Sequence, residues 1–375
     1  MTDEEARAGR YSRRVFITLA STFASAQEQR KAAPVPTPAV RYADRATEFP
    51  VVRLTNPEEE TWLPSSPGRC ISRKSDGAVI GVRTGEQLEL QWLSLGNGAR
   101  RHMAQGEALG VGTAALTSDD RWVVFAEGDQ LVALQRESLK RQPLVRLTAG
   151  ATLAGAVAAS GDRLTCLYAE TAGGEARVRL VRIGGSPQPQ TVAEAETAIA
   201  ELAPNPRRAL AAWRSPEGGL WTCALDGGKP RRVETPDGEV LQFHWARDGQ
   251  SILYLHQPAD RARLVEIREQ QVDSRSDQLV TKTSQFASFS PNANGSVFVG
   301  ASRSKASPHI LLLLRATKRE FTLCEHGETE AAACLPVFTP DSQSVVFTSR
   351  MHGKWAVYRV AVERLIEKTQ EPSTN

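Results

Sequence analysis

Six histidines, His102, His244, His256, His309, His326 and His352, are the side chains of this chain best suited to hold a metal or move a proton near neutral pH. No two lie within four residues of one another, so a metal site would have to be assembled from distant segments. The usual catalytic spacings are missing: there is no Gly-x-Ser-x-Gly elbow, no P-loop, no Gly-x-Gly-x-x-Gly turn, no His-Glu-x-x-His and no Cys-x-x-Cys. Gly110-Val111-Gly112 is followed by no helical pattern. What remains is a scattered polar set. Glu201, Gln242, His244, Gln285 and Ser288 supply a carboxylate, two amides, an imidazole and a hydroxyl at related points of a repeat described below. Such groups suit a polar ligand such as a sugar, whose hydroxyls both donate and accept. His244 reads either as a ligand or base, or as a hydrogen-bonded framework histidine. Arg350, beside His352 and Lys354, reads either as a carboxylate contact or as part of a solvated basic face. Trp62, Trp92 and Trp355 are either stacking platforms for a pyranose ring or packed residues.

The elements that position these residues recur. Polar turns stand at Asp76-Gly77, Asp119-Asp120, Gly161-Asp162, Asn205-Pro206, Asp248-Gly249, Asn294-Gly295 and Asp341-Ser342. Counted from Asp76, Asp120, Asp162, Asn205, Asp248, Asn294 and Asp341, successive turns are 44, 42, 43, 43, 46 and 47 residues apart. A period of about 40–50 residues with several short strands per unit is the signature of a propeller blade. The last unit is the clearest: Pro336-Val337-Phe338, the turn Thr339–Ser342, the β-branched run Ser344–Thr348, then Lys354–Val360 alternating in period two. The fifth unit repeats it with Phe243-His244-Trp245, a turn at Arg247-Asp248-Gly249, and strands over Ser251–Leu255 and Arg263–Ile267. The fold class expected is all-β, a seven-bladed β-propeller over residues 46–365. Val51–Leu54 reads as an outermost strand that precedes the first blade, so it should close the ring by pairing onto the seventh.

The N-terminus reads as an address. Ser12-Arg13-Arg14-Val15-Phe16-Ile17 resembles a twin-arginine export signal, with a short apolar run over Val15–Phe23 and small residues at Ala24-Ser25-Ala26 for cleavage. Residues 1–26 are expected to be a signal peptide and the protein periplasmic or secreted. Residues 27–45, with Pro34, Pro36 and Pro38, read as a linker, and residues 366–375 as a disordered tail. No segment of the mature chain is apolar enough to span a bilayer. Lys and Arg total 46 against 43 Asp and Glu, a net charge of +3. So small an excess gives no electrostatic case for nucleic acid. Of five cysteines, Cys166 and Cys223 sit in apolar strands as small core residues, while Cys324 and Cys334 flank one loop and could pair in an oxidising compartment.

Val51–Thr55, the turn-rich blades and the run from Pro336 through Tyr358 resemble the oligogalacturonate-lyase-like branch of TolB-type (WD40-like) propellers. The resemblance spans roughly residues 45–365. It implies a secreted or periplasmic seven-bladed propeller, and for active members cleavage of pectic oligomers by β-elimination with manganese in the axial funnel. Such chemistry needs a base for the proton next to a uronate carboxylate and a cation to hold the charge that builds up. The resemblance also implies metal-binding histidines immediately before the proline of the final blade and two residues earlier. Here those positions hold Leu335 and Ala333, neither of which has a donor atom. Glu330 stands near the place of a metal-binding glutamine. The expectation is therefore binding of a polar small molecule, an oligosaccharide or an envelope protein, with no cofactor; oligogalacturonate lyase activity with manganese is the alternative.

Overall fold

In the computed structural model, residues 39–363 and 365 are described, apart from 67–68, 161–163 and 186. The signal and tail segments, most of the linker and the Gly161-Asp162 turn lie outside the described residues. Seven antiparallel sheets follow one another along the chain, six with four strands and one with five. Each of the six is a meander in sequence order, from an innermost strand such as Gly238–Trp245 of blade five to an outermost one such as Asp277–Thr283. The second strand of each blade is buried on both faces, as in Ser251–Pro258, Val297–Ser302 and Ser344–Ser349, because neighbouring sheets cover both sides.

Ring closure uses the N-terminal segment. Blade seven takes its first three strands from Val337–Phe338, Ser344–Ser349 and Ala356–Ala361, and its fourth from Pro50–Arg53, with Val51 opposite Val360. The seam is sewn onward into blade one. The Leu54 amide donates to Val357 O at 2.8 Å, the Val357 amide donates to Thr55 Oγ1 at 2.9 Å, and the Thr61 amide donates to Trp355 O at 2.8 Å. One stretch read as linker is ordered differently: Val40–Ala43 is a fifth strand, outside Pro50–Arg53. It is held because Tyr42 packs edge-on against His352 at 5.0 Å and joins the core cluster between blades six and seven. Asp44, 3 % exposed, caps the turn that follows by accepting the Ala46 and Thr47 amides, and its other oxygen takes the Glu325 amide of blade six.

The recurrent turns latch blade to blade. The Arg73 amide donates to Asp120 Oδ2, Asn205 Nδ2 donates to Gly249 O, and the Ala293 amide donates to Ser342 Oγ. At the seven–one junction the donor is Asp341 rather than Pro340, which has no N–H, and the acceptor is Ser75 Oγ. Asp120, Gly249, Ser342 and Ser75 all have φ near +60 to +72°, the left-handed turn geometry that Gly, Asn, Asp and Ser tolerate. The spacing seen in sequence is thus the spacing of a ring of latches.

Candidate functional site

The innermost strands share a register fixed by the turns. The first residue of each turn donates its amide five residues ahead: Ser72 to Gly77, Thr117 to Trp122, Asn205 to Leu210, Ala246 to Ser251, Asn292 to Val297 and Thr339 to Ser344. Three residues before these points stand Arg69, Ala114, Leu202, Phe243, Phe289 and Pro336. One residue earlier in blades four, five and six stand Glu201, Gln242 and Ser288. In blades five and six a register shift immediately precedes them, between Val240 and Gln242 and between Phe286 and Ser288. At Gln242 the shift turns the side chain toward the next blade.

Glu201, Gln242 and His244 are brought together on successive blades. Gln242 Oε1 accepts the Phe289 amide at 2.9 Å, and His244 Nε2–H donates to Phe289 O at 2.8 Å. Two side chains of blade five thereby satisfy both backbone polar groups of Phe289 on the inner strand of blade six. The Glu201 carboxylate accepts the Phe243 amide in the same way. Ser288 is next in this series. The corresponding register point of blade seven is Pro336, which offers no N–H, and the buried Ser288 hydroxyl has no partner.

The residue that sequence reasoning missed is Arg69. It stands on blade one at the register point occupied by Ala, Leu, Phe or Pro in the other blades compared, yet its Nη2 donates to Pro204 O of blade four at 3.0 Å. Blades one and four are not neighbours, so this bond crosses the axis of the ring. Burial pulls the Arg69 pKa down and no acidic group offsets it. Its positive charge reaches His244, whose pKa falls to about 4, chiefly through burial and further through Arg69. Near neutral pH His244 is therefore uncharged. Glu201 is pushed the other way, to about 7 by burial, with Arg214 opposing at 3.6 Å. All three side chains keep some accessible surface while protein surrounds them, as expected in an axial channel. A charged residue at an apolar register point is the signal that would have found Arg69.

The other residues named from sequence lie outside this group. Gln285 accepts from Ser302 Oγ at 2.9 Å on the next strand of its own blade. Arg350 pairs with the buried Glu328 carboxylate at 3.1 Å and covers Trp355 at 4.9 Å, which occupies both the guanidinium and one indole face. Trp62 and Trp92 are likewise covered, by Arg83 and Arg136. Glu330 is exposed at the start of a short 3₁₀ turn, Ala331–Cys334, and caps nothing. All five cysteines are buried and none forms a disulfide among the described residues. The donor set around Ala333 and Leu335 does not fit a manganese ion. The nearby His326 has both nitrogens engaged, Nε2 with Ser302 O and Nδ1 with the Glu328 amide, and Glu330 is a single exposed carboxylate.

No protein-family model matches the chain, and no curated protein matches it. Solved structures do match. An oligogalacturonate lyase in complex with manganese superposes with a TM-score of 0.79 at 18% identity, covering 88% of this chain and 98% of that one. An oligogalacturonate lyase from Vibrio parahaemolyticus gives 0.80 at 16% identity, covering 89% and 99%. The WD40 repeats of RRP9 give 0.57 at 10% identity, covering 86% and 99%. At such identities the likeness is one of fold: this chain is a seven-bladed β-propeller similar in architecture to oligogalacturonate lyases.

Proposed function

We propose that this propeller binds an acidic polar ligand, such as a uronate-bearing oligosaccharide, in its axial channel, and that it does so after export. The observation that carries the reading is Arg69. A desolvated guanidinium held by one neutral carbonyl is an incomplete ion site, because a buried charge without a counter-charge is costly. A ligand carboxylate would complete it, with the bare Nδ1 of His244 available to a sugar hydroxyl. The architecture of the matched lyases supports a carbohydrate, and the paired arginines Arg13-Arg14 support export. Replacing both with lysine should retain the protein in the cytoplasm.

The test is a calorimetric titration of the purified protein with galacturonate oligomers against neutral galactose oligomers. Saturable binding of the acidic series alone, lost in Arg69→Met, is the expected result. Equal affinity for both series, or acidic binding unchanged in the variant, would refute the role of Arg69, and capture of an envelope protein alone would favour a scaffold.

One observation favours a second reading, β-elimination. His244 is an uncharged imidazole close enough to Arg69 to feel its charge, a base and a cation beside the place where a uronate carboxylate would sit. With its pKa near 4 and Nε2 spent on Phe289, His244 is a weak base, so binding is the first reading. Appearance of an ultraviolet-absorbing unsaturated product from oligogalacturonate, with or without added manganese, would reverse that order.

A further inference from the structure

Away from the axis, a second site lies between blades four and five, and its origin is legible in the strands. The outermost strand of blade four is only Arg231–Arg232, whereas the corresponding strands of blades one, two, three, five and six have six or seven residues. Pro230 precedes it and Pro236 follows four residues after it, and proline cannot donate to a ladder. The truncated edge leaves a cleft of about 80 Å³ where a longer strand would cover blade five.

Arg231, Arg232 and Arg275 line this cleft, with Glu234 as the one carboxylate. Among the described residues none of the three arginines takes part in an ion pair. The Arg231 guanidinium is held only loosely, by a long contact from Nη2 to Val272 O at 3.5 Å. Arg275 is held on the rim by its own backbone, in the left-handed conformation at φ 57°, where its carbonyl accepts from Gln270 Nε2 at 2.8 Å. Gln270 forms part of the cleft wall and is 5 % exposed; with Nε2 spent, its Oε1 is a buried acceptor lacking any donor.

We propose that this cleft binds a tetrahedral oxyanion that also carries a hydroxyl: inorganic phosphate, or the phosphate group of a monoester. Three planar guanidiniums around one cavity match the oxygens of such an anion, and each forms paired hydrogen bonds with them. A P–OH of hydrogen phosphate, or a hydroxyl on the carbon next to the one that bears the ester oxygen, supplies the donor that Gln270 Oε1 lacks. Sulfate has the shape and charge but no proton to give near neutral pH. Buried carbonyls left without a donor are disfavoured, so phosphate is preferred. The site is independent of the axial channel and of Arg69.

The test uses the purified protein in chloride buffer at low ionic strength, titrated with inorganic phosphate, sulfate and glycerol phosphate and followed by calorimetry and by ³¹P line broadening. Saturable phosphate binding is expected, with sulfate several-fold weaker. Tighter binding of glycerol phosphate than of inorganic phosphate identifies an ester, and the reverse identifies the free anion. Arg232 and Arg275 are exposed, so the double variant Arg232→Ala, Arg275→Ala should fold as the parent does by circular dichroism. It should lose phosphate affinity at least tenfold. Gln270→Leu should bring phosphate down to the level of sulfate. Absence of saturable phosphate binding, or affinity unaltered in the double variant, overturns the proposal; Arg69→Met should leave this binding intact.

Discussion

The junction between blades five and six and the junction between blades six and seven are built on the same register but resolved differently. At the first, Gln242 and His244 bind both the amide and the carbonyl of Phe289. At the second, Ser288 occupies the place of Gln242 and Pro336 the place of Phe289, so there is no amide to satisfy and the hydroxyl is left over. The difference separates two meanings of a polar residue on an inner strand. Where the neighbouring edge presents an N–H, a long polar side chain is part of the framework. Where proline removes that N–H, the polar group is free for something else. Arg69 is the extreme case, a cation on the same ring that donates to one neutral carbonyl.

The upper limit of what a junction contributes is set at the seven–one seam, which is held by backbone pairing together with the hydroxyls of Thr55 and Ser75. Deleting residues 40–55 exposes the edge of blade seven and removes Val51 and Leu54, both fully buried. We expect loss of at least 5 kcal/mol, on the scale of about 2–5 kcal/mol for each large buried aliphatic side chain removed, read as failure to give a cooperative thermal transition. A deletion that melts like the parent would show the seam to be dispensable.

Within the inner ring the two junctions should respond in opposite senses. Gln242→Leu and His244→Ala each strand a polar group of Phe289 and should cost about 1–3 kcal/mol in denaturant unfolding. Ser288→Ala removes a hydroxyl that has no partner, so it should be neutral or stabilising. Equal losses for Ser288 and Gln242 would erase the distinction between them.

Glu201 sharpens the comparison through pH. Its folded pKa, about 7, is above the ordinary value of 4.5, so the native state binds the proton more tightly than the unfolded chain. Stability from this group is present below pH 4.5 and is lost as pH rises through 7. Glu201→Gln keeps an acceptor for the Phe243 amide without the buried charge. The variant should match the parent near pH 4 and exceed it by about 1–2 kcal/mol at pH 8, a figure reduced from the full shift at ~1.36 kcal/mol per unit because the group keeps some solvent and loses Arg214. His244 has the opposite sign: its depressed pKa, about 4, costs stability as pH falls from 6.5 toward 4, and His244→Gln should flatten that limb.

Much of this architecture is legible in the chain, because each blade repeats a local solution. The turn at Asp341-Ser342 and the turn at Asp248-Gly249 solve the same backbone problem with residues that tolerate positive φ, so their period survives in the sequence. Val51–Leu54 is readable as a closing strand because it is β-branched and stands before the first blade. Val40–Ala43 is not, since the prolines just ahead of it mask a strand whose anchor, Tyr42, docks on His352 of the last blade. The site is harder to read than the fold for the same reason. Gln242 and His244 stand in the right register, but whether they face a ligand or a neighbouring edge depends on whether the next blade begins with Phe289 or Pro336. Arg69 lies in an ordinary Arg-Cys-Ile run, and its meaning comes from a carbonyl across the ring.

The smallest expected effect is also the most direct trial of the comparison. Pro336→Ala restores an N–H at the six–seven junction, and Ser288→Gln supplies the longer acceptor that blade five uses against blade six. Singly, each change leaves one side of the brace missing: the first presents an amide beyond the reach of the serine, and the second places a long side chain against a proline. Each should therefore be slightly destabilising. Together they would rebuild the Gln242–Phe289 bond one blade further on, so the double variant should be more stable than the sum of the singles by about 0.5–1.5 kcal/mol, the net value of one intramolecular hydrogen bond. The cycle has a built-in control, because Ser288→Gln with Gln242→Leu touches two different junctions and should be additive. Zero coupling in the first pair would mean that the shared register does not carry a shared brace, and that the polar residues of the inner ring have to be explained one at a time.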